Sequence, residues 1–226
     1  MEAIERKFLA APEKGEVSAL LMRPGDATHL LVLGHGASTN MRHATLRTIA
    51  ERLADVGIAT FRYNFPYAQS GKGRDSQAVC VQTVRSAIEA ARQAVPGLPL
   101  LAGGHSFGGR MTSTAASESP PDGVRGLVFF SFPLHTAGKP ETKRADHLGA
   151  VRLPMLFLSG TRDELATLDL LRPACAKLGD RATLHLLDTA DHGYKVLKKS
   201  RASPEDVFAE MARVVRDWAN GPGVCR

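Results

Sequence analysis

The chain has 226 residues, of which 43% are hydrophobic and 23% charged, as expected for one soluble globular domain spanning residues 1–226. Its net charge is +6, but Lys and Arg are spread along the chain without interleaved aromatic residues, so we expect no nucleic-acid interface. No apolar run approaches the ~20 residues of a membrane helix, and residues 1–16 lack the apolar core of a signal peptide, which predicts a cytoplasmic protein without membrane contact.

Short apolar runs with β-strand propensity alternate with helical patterns along the chain. They cover residues 4–9, 17–22, 30–33, 58–63, 99–102, 126–132, 154–158 and 183–187. Several are apolar almost throughout, as strands are when helices cover both faces of a parallel sheet. The first two runs are joined by residues 12–15 (PEKG), which predicts a hairpin and therefore one antiparallel edge.

Three of the intervening segments have helical spacing. The first has an apolar stripe from Leu46 that stops at Gly57, and the second ends before Pro96. In the third, Ser203 is the predicted N-cap and Asp206 completes a capping box. The whole alternation predicts an α/β fold with a mostly parallel sheet of about seven or eight strands, helices on both faces, and no second domain.

The three cysteines indicate a reduced protein. Cys80, Cys175 and Cys225 are odd in number and widely spaced, which argues against a disulfide framework and against a zinc site. We therefore expect no metal, and a reducing cytoplasm as the compartment.

A serine lies between glycines where a predicted strand passes directly into a helical segment. The sequence Gly104-His105-Ser106-Phe107-Gly108 matches G-x-S-x-G, the nucleophile elbow. A turn this sharp strains the serine backbone and leaves no room for side chains at the two glycines. Because active sites of such sheets form at the carboxyl ends of strands, Ser106 is the predicted nucleophile.

A serine nucleophile needs a base and an acid, which in elbow enzymes follow in the order acid, then histidine. Asp163 comes directly after the strand at 154–158, and His192 follows the strand at 183–187. We predict that Asp163 orients His192 and that His192 takes the proton of Ser106. Glu164 and Asp191 are alternative acids. Two further histidines near strand ends, at positions 35 and 105, lie beside turns that carry other roles.

Two backbone N–H groups are candidates for the oxyanion hole. One belongs to Phe107, the residue after the nucleophile, and the other to Ala37, in the glycine-rich turn after the strand at 30–33. The alternative for the second turn is a tight loop needed only for packing.

These motifs resemble those of α/β-hydrolases over nearly the whole chain. Within that superfamily the sequence is similar to a small dienelactone-hydrolase-like group that includes a testis-expressed protein and a subunit of a chromatin acetyltransferase complex. The shared segments are HGAS at 35–38, FRYNFPY at 61–67, GGHSFGGR at 103–110, HTAGKPE at 135–141 and GTRDE at 160–164. The resemblance implies an active serine hydrolase of unassigned substrate. Dienelactone hydrolases use a cysteine nucleophile, whereas this chain has Ser106.

The segment that usually forms a lid is short here, about residues 133–151, which predicts an open, shallow site. The substrate-pocket candidates at strand ends are His35, Gly36, Asn64 and Tyr67; Tyr67 is equally well explained as a packed aromatic. In the basic lid segment, Lys139 and Arg144 are either solvated or attract a substrate anion. Arg110, on the first turn of the elbow helix, is expected to pair with a buried acid rather than to touch the substrate.

Taken as a set, the residues predict a serine hydrolase, a carboxylesterase for small acyl esters that forms an acyl-enzyme without a cofactor. The alternatives are an acyltransferase or thioesterase, and a non-catalytic interaction module on the same fold. The expected partner is a small ester substrate, and exposed sheet edges leave both a monomer and a homodimer open.

Overall fold

A single sheet of eight strands runs through the computed structural model, which describes residues 1–224. The strands are β1 (Ile4–Ala11), β2 (Gly15–Met22), β3 (His29–Gly34), β4 (Ile58–Tyr63), β5 (Leu100–His105), β6 (Val124–Phe130), β7 (Met155–Gly160) and β8 (Ala182–Leu187). Their order is β1-β2-β4-β3-β5-β6-β7-β8. β1, β2 and β4 pair antiparallel in succession, and every other neighbouring pair is parallel. The predicted hairpin and antiparallel edge are confirmed.

Helices cover both faces of the sheet, as predicted. They are α1 (Ala44–Ala54), α2 (Pro66–Ser70), α3 (Gln77–Ala94), α4 (Phe107–Glu118), α5 (Leu168–Ala176) and α6 (Val207–Ala219). The apolar side chains of α3, α4 and α5 belong to one core cluster, and those of α1 and α6 to a second cluster on the opposite face. This is the α/β-hydrolase architecture, and it gathers the carboxyl ends of β3 to β8 along one edge.

The structure shifts several predicted boundaries, and two of the shifts have a clear local cause. Strand β6 ends at Phe130 rather than 132, because Ser131 has a φ of 55° and cannot continue the strand. Helix α6 begins at Val207, and its N-cap is Asp206 rather than Ser203. The Asp206 side chain accepts hydrogen bonds from the backbone of Phe208 and Ala209, whereas the Ser203 hydroxyl accepts one from Glu205 N outside the helix.

The short segment predicted as a lid at 133–151 contains a single β-bridge between Thr136 and Lys139 and a 3₁₀ helix, Lys143–Ala150, which packs against α4. Leu148 of this helix is buried in the same core cluster as α4, and the His147 ring lies 2.7 Å from the Ser113 hydroxyl of α4. The lid is therefore minimal. Within the described residues, no helix has the length and apolar character needed to cross a bilayer.

Candidate active site

Ser106 lies between the end of β5 and the start of α4, in a conformation that non-glycine residues rarely adopt. Its φ is 52° and its ψ is −112°. The backbone is held there because Ser106 N donates a 2.9 Å hydrogen bond to Phe130 O of the neighbouring strand, while Arg110 N in the first helical turn donates to Ser106 O. The strain lifts the serine side chain out of the sheet edge, as an elbow requires.

The glycines around Ser106 allow three backbone segments to meet. A Cβ atom at Gly104 would lie 2.6 Å from both Gly108 C and Gly34 O, and one at Gly108 would overlap the Gly34 backbone. Real Cβ atoms do not approach so closely, so any side chain here would push α4 away from the ends of β3 and β5. This contact is the physical reason for the glycine spacing of the elbow.

His192 and Asp163 approach Ser106 from the loops that follow β8 and β7. The two Asp163 carboxylate oxygens both lie 2.9 Å from His192 Nδ1, and His192 Nε2 lies 2.9 Å from Ser106 Oγ. A carboxylate can only accept, so Nδ1 carries the ring proton and Nε2 is free to accept the serine proton. Asp163 is buried, and Leu165 N donates a further 2.8 Å hydrogen bond to it.

The two alternative acids have other places in the structure. Glu164 is exposed. The Asp191 carboxylate accepts hydrogen bonds from Gly193 N and Lys195 N, each 2.9 Å long, and so shapes the turn that carries His192. Of the three acids considered, the structure brings Asp163 to the histidine ring.

The two backbone N–H groups predicted to form the oxyanion hole lie on neighbouring segments, and neither is used in a hydrogen bond within the described residues. Phe107 is the first residue of α4, and its N–H has no acceptor one turn earlier, as is usual at helix N-termini. Ala37 follows β3, whose end packs against the elbow. Among residues 1–224, neither N–H has a protein acceptor. Both are therefore available to an anionic oxygen, and the N-terminus of α4 favours negative charge there.

Two of the predicted pocket residues, His35 and Gly36, are buried beneath the loop after β3. His35 Nε2 accepts a 3.1 Å hydrogen bond from Phe65 N, so its Nδ1 carries the proton and donates to Gly36 O at 2.7 Å. Burial lowers the pKa of His35 to about 4. The neutral imidazole thus connects the loop that carries Ala37 to the loop after β4 through these two hydrogen bonds.

The other two pocket candidates are also largely buried. The Asn64 amide accepts a hydrogen bond from Met41 N and donates one to Gln69, each 2.9 Å long. The Tyr67 ring is stacked on Phe65, with 5.9 Å between ring centroids, and meets Phe107 edge-on at 6.2 Å. These residues fix the walls around the elbow, and little of their surface faces solvent.

His105, which has no predicted role, contacts the loop that carries His192. Its Nε2 lies 3.1 Å from the His192 carbonyl oxygen and must donate to it, and the two rings are 5.4 Å apart. Burial, reinforced by the charge of His192, lowers the pKa of His105 to about 4. A position next to the nucleophile was visible in the sequence, but the contact with a loop 87 residues later was not.

Of the basic residues near the site, only Arg110 was expected to form an ion pair. Arg110 forms no ion pair in the described part of the chain, so the expectation of a buried acid partner is wrong; its guanidinium carbon lies 5.8 Å from the Phe107 ring centroid. Arg144 donates a 2.9 Å hydrogen bond to His135 O at the start of the lid segment. Lys139 is exposed.

Cysteines and metal ligands are not gathered at this site. Cys80 and Cys175 are free and buried, and burial raises the pKa of each thiol, to about 11 and about 12. Cys225 lies outside the described residues. Over residues 1–224, no group of three His, Cys, Asp or Glu side chains is placed to hold a metal ion.

The family described as "Alpha/beta hydrolase domain" matches residues 27–220, which include the elbow and both loops that approach it. The chain belongs to this α/β-hydrolase family.

Solved structures with the same fold agree over nearly their whole lengths. Dienelactone hydrolase from Anabaena variabilis has a TM-score of 0.74 and 18% identity, covering 97% of this chain and 98% of that one. A serine hydrolase without a lid from Xanthomonas campestris has a TM-score of 0.73 and 20% identity, covering 98% and 97%. An esterase domain of a Rhodothermus marinus protein has a TM-score of 0.71 and 19% identity, covering 97% and 98%. At these identities the likeness is one of fold.

Proposed function

We propose that this protein is a serine hydrolase that cleaves carboxylic esters of small acyl groups through an acyl-enzyme on Ser106. The observation that carries the proposal is the continuous hydrogen-bonded chain from Ser106 through His192 to buried Asp163. A scaffold that only binds partners has no physical need for these three groups in this order. A serine hydrolase and an esterase domain among the structural neighbours support the same class of reaction.

In the proposed first step, Ser106 Oγ attacks the ester carbonyl while its proton moves to His192 Nε2. Asp163 accepts from Nδ1 and stabilises the imidazolium that forms. The Phe107 and Ala37 N–H groups donate to the oxyanion of the tetrahedral intermediate. Collapse of the intermediate breaks the bond to the alcohol, which leaves with the proton from His192.

In the proposed second step, His192 removes a proton from water, and the hydroxide so formed attacks the acyl carbonyl. The bond between the acyl carbon and Ser106 Oγ then breaks, His192 returns the proton to Ser106 Oγ, and the acid is released. The minimal lid supports water over a larger acceptor, and so favours hydrolysis over acyl transfer. Every group in the scheme is supplied by the chain, so the reaction needs no cofactor. The free thiols Cys80 and Cys175 support a reducing cytoplasm as its setting, with a monomer or homodimer as the working state.

The test is intact-mass measurement after incubation with a small fluorophosphonate. We expect one adduct on the wild type and none on Ser106→Ala or His192→Ala, with esterase turnover of Ser106→Ala lower by about four to six orders of magnitude. Circular dichroism of each variant controls for folding. A folded wild type that takes no adduct and hydrolyses no 4-nitrophenyl ester would overturn the proposal and favour the interaction module.

A further inference from the structure

Backbone strain in this protein collects around the proposed catalytic residues. Within residues 1–224, the non-glycine residues with a positive φ are Ser106, Ser131, Thr189 and Tyr194. Ser131 directly follows β6, which lies between the strands that lead to the elbow and to Asp163, and the last two residues lie in the loop after β8. A positive φ is costly for a residue with a side chain, and such strain is found mainly at functional sites. The strain at Ser131 and Tyr194 therefore indicates that the surrounding structure fixes both residues.

Both of these strained residues carry a hydroxyl group that is buried and forms no hydrogen bond of normal geometry within the described residues. Burial raises the pKa of Tyr194, the nearby Ser131 hydroxyl opposes this rise, and the negative charge of Asp163 adds to it. The two hydroxyls and the carboxylate are therefore neighbours. The Tyr194 ring is held by His105 and Phe208, at centroid distances of 6.0 and 5.7 Å. Because buried polar groups are costly unless they are hydrogen-bonded, each hydroxyl has a donor that needs an acceptor.

The Asp163 carboxylate lacks donors in the same place. Its side chain has no exposed surface, and among the described residues its oxygens accept hydrogen bonds from His192 Nδ1 and Leu165 N alone. The bond from Leu165 goes to Oδ1, so Oδ2 accepts from the histidine ring only. An ionised carboxylate offers about four lone-pair sites, and a buried charge with few donors is costly. A buried acceptor with free lone pairs thus lies beside two buried donors.

Neither hydroxyl reaches the carboxylate directly. Polar groups that are close but not in contact are commonly joined by water, and a buried water typically makes about three hydrogen bonds to such groups. We propose that Ser131 and Tyr194 bind one buried water molecule that donates a hydrogen bond to Asp163 Oδ2, and that both are positioning residues for this acid. This inference rests on the proposed function and assigns two further residues to the same site.

The water gives the carboxylate a third donor. Tyr194 donates its hydroxyl proton to the water oxygen, and the water donates one proton to Asp163 Oδ2 and the other to Ser131 Oγ. A charge-assisted hydrogen bond of this kind keeps the carboxylate ionised and fixes its plane towards His192 Nδ1. This matters most when His192 becomes an imidazolium, so loss of the water should lower kcat and leave KM nearly unchanged.

Ser131→Gly separates a positioning role from a structural one. Glycine accepts a φ of 55° without strain, so this variant should be about as stable as the wild type although it lacks the hydroxyl. We expect its kcat on a 4-nitrophenyl ester to fall by about tenfold, with KM within about twofold of the wild-type value. A serine that only shapes the turn would give a glycine variant with full activity.

Tyr194→Phe removes the second hydroxyl and keeps the ring that packs against His105 and Phe208. It should lower kcat by about the same factor. The double variant with Ser131→Gly should lose little more than either single variant, because both hydroxyls bind the same water. The matched control is Tyr63→Phe: the Tyr63 hydroxyl is also buried without a partner in the described chain, but its ring belongs to the core cluster on the opposite face of the sheet. The control should keep the wild-type kcat.

A crystal structure of the wild type tests the site directly. We expect electron density for one water within about 3.2 Å of Tyr194 Oη, Ser131 Oγ and Asp163 Oδ2, and no such density in the double variant. If the wild type labels with fluorophosphonate but lacks this water, or if both single variants keep the wild-type kcat, the positioning role is refuted and the serine hydrolase stands. If the water is found but no labelling occurs, the water site stands, and both its positioning role and the hydrolase fail.

Discussion

Acidification from pH 7 to pH 5 should destabilise the protein through His35. Burial lowers the pKa of this imidazole from 6.5 to about 4, because the ring has no exposed surface at which water could stabilise the charged form. The hydrogen bond to Gly36 O acts in the opposite direction but is the weaker effect. Between pH 6.5 and 4 the unfolded chain therefore binds a proton that the folded protein does not, so stability falls as the pH falls and the loss levels off below pH 4.

The size of the effect follows from the shift. One pKa unit corresponds to about 1.4 kcal/mol, so the full loss for His35 is about 3 kcal/mol, and about 2 kcal/mol of it is incurred between pH 7 and pH 5. His105, whose pKa burial also lowers to about 4, adds a loss of the same order, and it does so in the wild type and in His35→Gln alike.

The assay is urea unfolding at pH 7, 6 and 5 for the wild type and His35→Gln. Glutamine cannot titrate, so the variant should start from a lower stability but lose about 2 kcal/mol less over this range. His43→Gln is the control, since His43 is exposed and its charge is the smallest of the causes acting on His35. Equal pH dependence of the free energy of unfolding in wild type and His35→Gln would refute the assignment.

Two further variants test the geometry of the site. Asp163→Asn should remain folded but lose about four orders of magnitude in kcat, because the amide favours the wrong tautomer of the His192 ring. Asp191→Asn is the control: it keeps the side-chain oxygen that accepts from Gly193 N, so it should retain most of the activity in the same 4-nitrophenyl ester assay. Gly104→Ala should lower the free energy of unfolding by about 3 kcal/mol or more, because its Cβ would lie 2.6 Å from backbone atoms. Gly25→Ala is the control: the space around Gly25 is open, so its free energy of unfolding should be nearly unchanged. Thermal or urea unfolding measures both.

Much of this architecture was predictable because it depends on local patterns. The apolar runs located all eight strands, and the G-x-S-x-G spacing located the elbow, because close packing of three backbones leaves only glycine possible at those positions. Asp163 and His192 were found from their places after β7 and β8, since the carboxyl ends of parallel strands share one edge.

Features that depend on contacts distant in sequence were not predictable. Helix α5 was missed because Pro173 lies in its interior, where sequence rules expect a break. The start of α6 was misplaced because Ser203 and Asp206 are both good caps, and packing of the helix decides between them. The contact between the Arg74 guanidinium and the Phe107 ring could not be predicted from the sequence, because it depends on the path of the loop between α2 and α3.

The three residues proposed for catalysis come together only when the sheet is complete, so the reactivity of the site reports how much of the sheet has folded. Ser106 and His192 are 86 residues apart, and Asp163 and His192 are 29 apart, with β7 and β8 supplying the two later loops. A chain interrupted before β8 joins the sheet would contain the serine without its base. Ser106 should thus react with a fluorophosphonate only after β8 has joined the sheet. The rate at which this reactivity appears during refolding would measure the rate of that final step.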